Sequence, residues 1–267
     1  MRLALGLDAA WTASAPTGVA LAGETADGWR LLAVEGSYTR FRERAAGLTP
    51  QAPARGEAPD VAALLDACRR LAGREPDLVA VDMPLALTPI IGRRASDLEI
   101  SRRFGSAKAA THSPSELRPG RLADKLRKDF DEAGFPLCTT LGLHVPGVME
   151  VYPHAALLAL SADKERLPYK AGKTATYWQG VCLMERRRRL SEVCRRIVAL
   201  LDAEIAGVAQ ALPIPSPEER GRALKDYEDR LDAVVCAYVA IRALDGAASA
   251  YGDGCSAIWV PAVASLR

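Results

Sequence analysis

Over the first 35 residues the apolar positions fall into short alternating runs. Leu3, Leu5 and Leu7 alternate with smaller residues and stop at Asp8, the pattern of a strand that delivers a carboxylate at its C-terminal end. The runs Gly18-Val19-Ala20-Leu21-Ala22 and Trp29-Arg30-Leu31-Leu32-Ala33-Val34 follow after short turns, one of them Asp27-Gly28. Three short strands so closely spaced predict an antiparallel meander. A Pro-, Ala- and Gly-rich loop over 48–59 comes next. Over 59–73, Val61, Leu64, Leu65, Cys68 and Leu71 recur at helical spacing, and Glu75-Pro76-Asp77 closes the helix. That helix crosses over to Leu78-Val79-Ala80-Val81-Asp82, a run apolar on both faces and so expected as a central parallel strand.

Between about 92 and 145 the pattern changes. Basic residues from Arg93 to Lys128 are interleaved with Gly, Ser, Thr and Pro, which reads as a mostly helical insertion with long loops. Val148-Met149-Glu150-Val151-Tyr152 then forms a strand ended by Pro153, with a helix expected over 154–161. Long helices are expected over about 177–206 and 217–244, and Ser256-Ala257-Ile258-Trp259-Val260 is the last strand, stopped by Pro261. The chain therefore reads as a single α/β domain over residues 1–267, with the insertion inside it.

Composition narrows the function classes. With 35 Lys+Arg against 33 Asp+Glu, the net charge is +2, so binding of nucleic acid through bulk charge is excluded and any such contact needs a local patch. An apolar content of 49% excludes a disordered acidic tail protein. No apolar run approaches the roughly 20 residues of a membrane span. The first segment meets Asp8 before a signal-peptide core could form. A cytoplasmic protein with no membrane partner is expected, its six cysteines reduced and mostly buried, since they contain no C-x-x-C pair.

The acids carry the chemistry. Asp8 and Asp82 end strands, and strand ends of an open α/β sheet face a common crevice although 74 positions separate these two. In Asp229-Arg230-Leu231-Asp232 the i,i+3 spacing puts both carboxylates on one helix face, beside the apolar stripe Val235, Cys236, Val239 and Ala240. Asp226 extends that row one turn upstream, where it could equally face solvent. Glu150 stands in an otherwise apolar strand. Carboxylates gathered in a crevice repel one another unless a cation neutralises them. Oxygen-only ligands suit Mg²⁺ or Mn²⁺, and such ions can activate water against a phosphodiester.

Several motifs now occur in order: Gly6-Leu7-Asp8, Val81-Asp82-Met83-Pro84-Leu85-Ala86-Leu87, Arg94-x-x-Asp97, Glu150-Val151-Tyr152-Pro153, Lys170-x-Gly172, Asp229-x-x-Asp232-Ala233 and Ile258-Trp259-Val260-Pro261. Over nearly the whole chain this set resembles domain-of-unknown-function family 429, a group described as predicted RNase H-like nucleases. The resemblance implies an RNase H-like mixed sheet, in which an antiparallel meander of three strands is followed by parallel strands and flanked by helices. It also implies hydrolysis of nucleic acid at a carboxylate site holding Mg²⁺ or Mn²⁺, with Asp8, Asp82, Asp229 and Asp232 as metal ligands. Glu150, part of the family's own pattern, is expected as a further ligand or a group that orients water. Arg94, Asp97, Lys108, Thr111, Ser113 and Lys170 are the candidate substrate contacts, Arg94 and Lys108 for phosphate. Junction-cleaving relatives in the wider superfamily dimerise to cut two strands, so a homodimer is left open.

Other readings were weighed. Gly172-Lys173-Thr174 is no phosphate loop, because Leu167 stands where the upstream glycine is required. Actin-like ATPases and sugar kinases share the meander and a phosphate turn resembling Asp8-x-x-x-Thr12, but Ala10 replaces their glycine and they need two such domains. Cysteine chemistry with His112, His144 or His154 has no supporting spacing. A non-catalytic module that binds nucleic acid or a nucleotide on the same fold is the main alternative, with an actin-like ATPase or kinase relative behind it.

Overall fold

The computed structural model describes residues 1–262. The meander is present as β1 (Leu3–Asp8), β2 (Gly18–Thr25) and β3 (Gly28–Glu35), and α1 (Tyr38–Ala45) and α2 (Val61–Ala72) follow it. Helix α2 starts where the Asp60 carboxylate accepts the Ala63 N–H at 2.9 Å, and it ends at Gly73 with φ +76°. Strand β4 (Leu78–Val81) comes next, and α3 (Ala95–Phe104) and α4 (Arg121–Glu132) lie within the 92–145 segment, joined by long non-helical connections. Then come β5 (Gly147–Val151), α5 (Pro153–Ser161), a short 3₁₀ turn (Ala171–Lys173), α6 (Thr174–Tyr177), α7 (Leu183–Glu204), α8 (Val208–Ala211), α9 (Arg222–Leu244), β6 (Ala248–Gly252) and β7 (Ala257–Pro261).

The strands form one sheet in the order β3-β2-β1-β4-β5-β7-β6. Strands β1, β2 and β3 pair antiparallel; β4, β5 and β7 run parallel with β1; and β6 returns antiparallel on the edge. The expected meander continued by parallel strands, with helices on both faces, is thus the architecture observed.

Several details differ from the sequence reading, which has no counterpart of α1 or α8. The helix expected over about 177–206 starts later, at Leu183 of α7, after the short α6. Gly180, at φ +72°, turns the chain between them. The edge strand β6 was not anticipated, because Ala248-Ser249-Ala250-Tyr251-Gly252 carries little apolar alternation and is half exposed, as an edge strand can be.

The period of two along the strands sorts their side chains by size. Leu5, Leu7, Val19, Leu21, Val79 and Val81 face one side, where α1, α2 and α4 cover them. Ala4, Ala20, Ala22 and Ala80 face the other side, against α9, with α5 and α7 packed beside it. Small residues on that face let α9 lie almost on the sheet. At Gly6 a Cβ would sit 2.1 Å from the Ala233 carbonyl oxygen, and at Gly18 2.0 Å from that of Asp229. Helix α9 is buried almost all round from Tyr227 to Ile241. Asp8, two residues after Gly6, and Asp82, two after Ala80, share the parity of the α9 face.

Candidate active site

At the C-terminal ends of β1 and β4, Asp8 and Asp82 stand half-buried in a crevice against the first turns of α9. Asp8, Asp82 and Asp229 line a cavity of about 590 Å³ together with Trp11, Ser113, Ser115 and Arg118. Asp232 is fully buried behind them. It accepts the Tyr169 hydroxyl at 2.7 Å and an ion pair from Lys170. The parity of the strands and the i,i+3 step on the helix therefore gather four of the five predicted acids.

One more acid and two cations extend this cluster, Glu228 and Lys225 from the same helix face and Lys170 from the segment before the 3₁₀ turn. Glu228, buried, accepts the Ala171 N–H at 2.8 Å and lies 3.5 Å from Lys170 Nζ. Lys225 lies 3.1 Å from Glu228 and 2.6 Å from Asp229. Glu228, Lys225 and Tyr169 were missed by the sequence reading. The signal was available for two of them, because 225, 228, 229 and 232 follow the i, i+3, i+4, i+7 spacing of a single helix face. Asp226 leaves the cluster, pairing with Arg40 and Arg230 at 3.1 Å each.

Like charges this close cannot all ionise at ordinary pH. Burial, reinforced by Asp232, pushes the Asp8 carboxyl well above its usual range against the pull of Lys170. Burial, opposed by Lys170, lifts Asp82 to about 7. Asp229 and Asp232 are raised by burial too, with Lys225 opposing at the first and Lys170 at the second. Only Glu228 moves down: burial works upward, but Lys170 and Lys225 outweigh it. The ammonium of Lys170 is held well above its usual range: desolvation works downward, but Asp232, Tyr169, Glu228 and Asp8 together outweigh it.

Glu150 lines a second cavity, of about 440 Å³, together with Asp82 and Lys170, but projects from the opposite face of its strand. It shares parity with Val148 and so faces the side of the sheet away from α9. Its oxygens accept the Leu85 N–H at 2.7 Å and the Arg94 guanidinium at 2.8 Å. Arg94 also grips Asp97 at 2.9 Å and the Leu85 carbonyl at 2.8 Å, both acids being buried. Burial pushes the Glu150 carboxyl up to about 7 against the pull of Arg94. The Arg94-x-x-Asp97 motif caps α3, the Asp97 carboxylate accepting the Arg94 N–H at 3.0 Å.

The remaining predicted contacts are scattered. Lys108 is exposed and paired with Glu165 at 2.6 Å. Thr111 donates to the Asp97 carbonyl at 3.2 Å, and Ser113 accepts from Arg93 at 3.1 Å. Of the six, Asp97, Thr111 and Lys170 line that second cavity, Ser113 lines the first, and Arg94 and Lys108 line neither.

Whether these residues suit a divalent cation rests on their donors. Every acid in the crevice is a hard carboxylate oxygen ligand, the type that Mg²⁺ and Mn²⁺ select. Asp229 Oδ2 is buried with no donor to accept from, while the Asp8 carboxyl lies beside Asp229. Two acceptors facing each other need a proton or a cation between them. Lys170 and Lys225 currently supply the counter-charge, and no group of three or more ligating side chains among the described residues is set at metal-binding spacing. The donor chemistry fits; the side-chain arrangement is that of a lysine-neutralised cluster.

No curated protein and no solved structure matches the chain. The family model described as "Protein of unknown function (DUF429)" matches residues 6–254, a span from Gly6 on β1 to the turn before β7 that takes in every acid of the crevice. The chain belongs to that family.

Proposed function

We propose that the protein is a divalent-metal-dependent hydrolase of phosphodiester bonds in nucleic acid. One observation supports this above others: the carboxyls of Asp8 and Asp229, from a strand end and a helix, come together beside Asp82 at the wall of an open cavity. Asp8, Asp82 and Asp229 would hold Mg²⁺ or Mn²⁺. Such an ion supplies an activated water and charge for the leaving oxygen. The chain's own residues account for the rest. Arg118, with Ser113 and Ser115, gives the same cavity a cation and two hydroxyls suited to a phosphate. Asp232, held by Tyr169 and Lys170, is a positioning residue that keeps Lys170 and Glu228 in place. Glu150 and Arg94 fix α3 and the loop after β4 to the sheet, a structural role, and Lys108 has none in this reading.

Asp8→Asn removes one charge with little change in volume. Calorimetric titration should show Mn²⁺ affinity falling by about tenfold or more, with thermal unfolding intact and any cleavage of nucleic acid lost. Equal Mn²⁺ affinity in wild type and variant would end this reading. It would favour the second one, a non-catalytic nucleotide-binding module, which the lysine-neutralised state of the cluster supports.

A further inference from the structure

The two cavities share walls but differ in character. Trp11, Asp82, His112 and Lys225 line both. The larger holds Asp8, Asp229 and Arg118, and the guanidinium of Arg118 lies 5.7 Å from the centre of the Trp11 ring. The smaller, at about 440 Å³, has apolar and aromatic walls from Met83, Tyr152, His154 and Ile258, with the side chains of Glu150 and Lys170 among its charged groups. That volume lies within the range of small-ligand pockets, which combine apolar walls with a few polar groups that fix orientation.

His154 is the unexplained group. It is only 6% exposed, it lines the smaller cavity, and its buried Nδ1 has no hydrogen-bond partner. Edge-on contacts hold the ring between Tyr152 and Tyr169, at centroid distances of 5.5 and 5.4 Å. Because Nδ1 is sealed from solvent, the ring meets the cavity by its other atoms, and with Trp11 and Tyr152 it gives the cavity an aromatic wall beside the charged groups of Asp82, Glu150 and Lys170. A ligand that suits such a wall is flat and carries hydrogen-bonding groups on its edge. The cavity adjoins the cation-and-hydroxyl site suited to phosphate through their shared walls.

We propose that the crevice receives one unstacked nucleotide, its base in the smaller cavity against Tyr152 and His154 and its phosphate in the larger beside Arg118. This inference rests on the hydrolase reading for the fate of the phosphate and deepens it: the substrate is an unpaired nucleotide, in a single strand or free, and not an intact duplex. Base stacking on aromatic side chains is sequence-tolerant, so discrimination is expected between paired and unpaired bases more than among the four bases.

The test is binding by fluorescence anisotropy in EDTA, without turnover. The probes are a thymidine dodecamer, an abasic strand of the same length, a duplex, and thymidine 5′-monophosphate as competitor. The thymidine strand should bind about tenfold or more tightly than either the abasic strand or the duplex. Tyr152→Leu, which keeps bulk and removes an aromatic wall of the cavity, should lose most of that difference while leaving abasic-strand binding unchanged. Trp11→Ala, at a half-exposed position, serves if that substitution does not fold, and should weaken the thymidine strand alone. Displacement by the monophosphate at the strand's own concentration range identifies a free nucleotide as the source; its failure to compete there identifies the polymer. Equal binding of thymidine and abasic strands, or no change in either variant, would overturn the base pocket. Because Mn²⁺ titration of Asp8→Asn is a separate measurement, loss of base discrimination with retained metal dependence removes this inference and leaves the hydrolase reading standing, and the reverse result does the opposite.

Discussion

Arg94 shows how a single side chain can look like a ligand in sequence and be a strut in the fold. An arginine three residues before an aspartate, in a basic segment, suggested phosphate. In the structure its side chain is 8% exposed and saturated by Asp97, Glu150 and a carbonyl. Removing one partner of a buried ion pair strands the other charge, at about 3–5 kcal/mol. Arg94→Met is therefore expected to lower the urea unfolding free energy by about that much, and Glu150→Gln in the same chain should restore part of it. Mn²⁺ affinity of the folded variant should stay near wild type, because Glu150 faces away from the α9 cluster. A large loss of affinity with little loss of stability would mean that Glu150 belongs to the metal site after all. The residue types were legible in the sequence. Their roles were not, because Glu150 differs from Asp82 only in strand parity, and parity has meaning only once it is known which face α9 covers.

At the scale of elements, the site depends on how closely α9 lies on β1 and β2. Gly6 and Gly18 permit that approach, and the carboxylates of Asp229 and Asp232 reach Asp8 and Lys170 because of it. Gly6→Ala places a methyl 2.1 Å from the Ala233 carbonyl oxygen, and backbone cannot yield as a flexible side chain does. The expected cost is about 1–3 kcal/mol or more, together with weaker Mn²⁺ binding as the helix is lifted. Gly92→Ala, where an added Cβ meets nothing within 4 Å, is the matched control and should leave melting temperature and titration unchanged. Equal behaviour of the two variants would show that the close approach does not set the site. Most elements were readable from periodicity and caps. The start of α7 reads about six residues too early because the turn at Gly180 shows only in its φ of +72°, and β6 escapes because an edge strand buries too little to leave an alternation.

For the whole molecule, the gathered acids make stability depend on pH and on cations. Asp8, Asp82, Asp229 and Asp232 all titrate above the ordinary aspartate value of 3.8, Asp82 at about 7. Between those values the folded chain keeps protons that the unfolded chain has released. Their contribution to stability is therefore largest at low pH and is lost as pH rises through the folded values. Glu228, shifted downward, opposes this with stability that is present above its unfolded value and lost in acid. Glu150, also lifted to about 7, adds to the proton-keeping groups, while His154 and His112, lowered by burial, gain stability as pH rises. Five carboxyls against two imidazoles give the sign, and in EDTA the melting temperature should fall between about pH 5 and pH 7.5. A cation that displaces those protons should then stabilise the fold more at the higher pH. Thermal melts with and without Mn²⁺ at both pH values check this, and a shift of the same size at each would contradict the proton-displacing cluster. No helix among the described residues is long and apolar enough to cross a membrane.

The sequence by itself determined the meander, the crossover helix, the buried parallel strands and the pairing of Asp229 with Asp232, because periodicity and short spacing are local properties of the chain. It also carried the family pattern, matched from residue 6 to 254. Only the tertiary structure decided that Asp8 and Asp82 meet α9 while Glu150 meets Arg94 at the start of α3, that Lys170 and Lys225 neutralise the acids, and that Tyr152 and His154 wall a cavity beside them. Each of those facts joins segments separated by tens of residues, and their contact is fixed by which face of the sheet a helix covers and how near its small residues allow it to come.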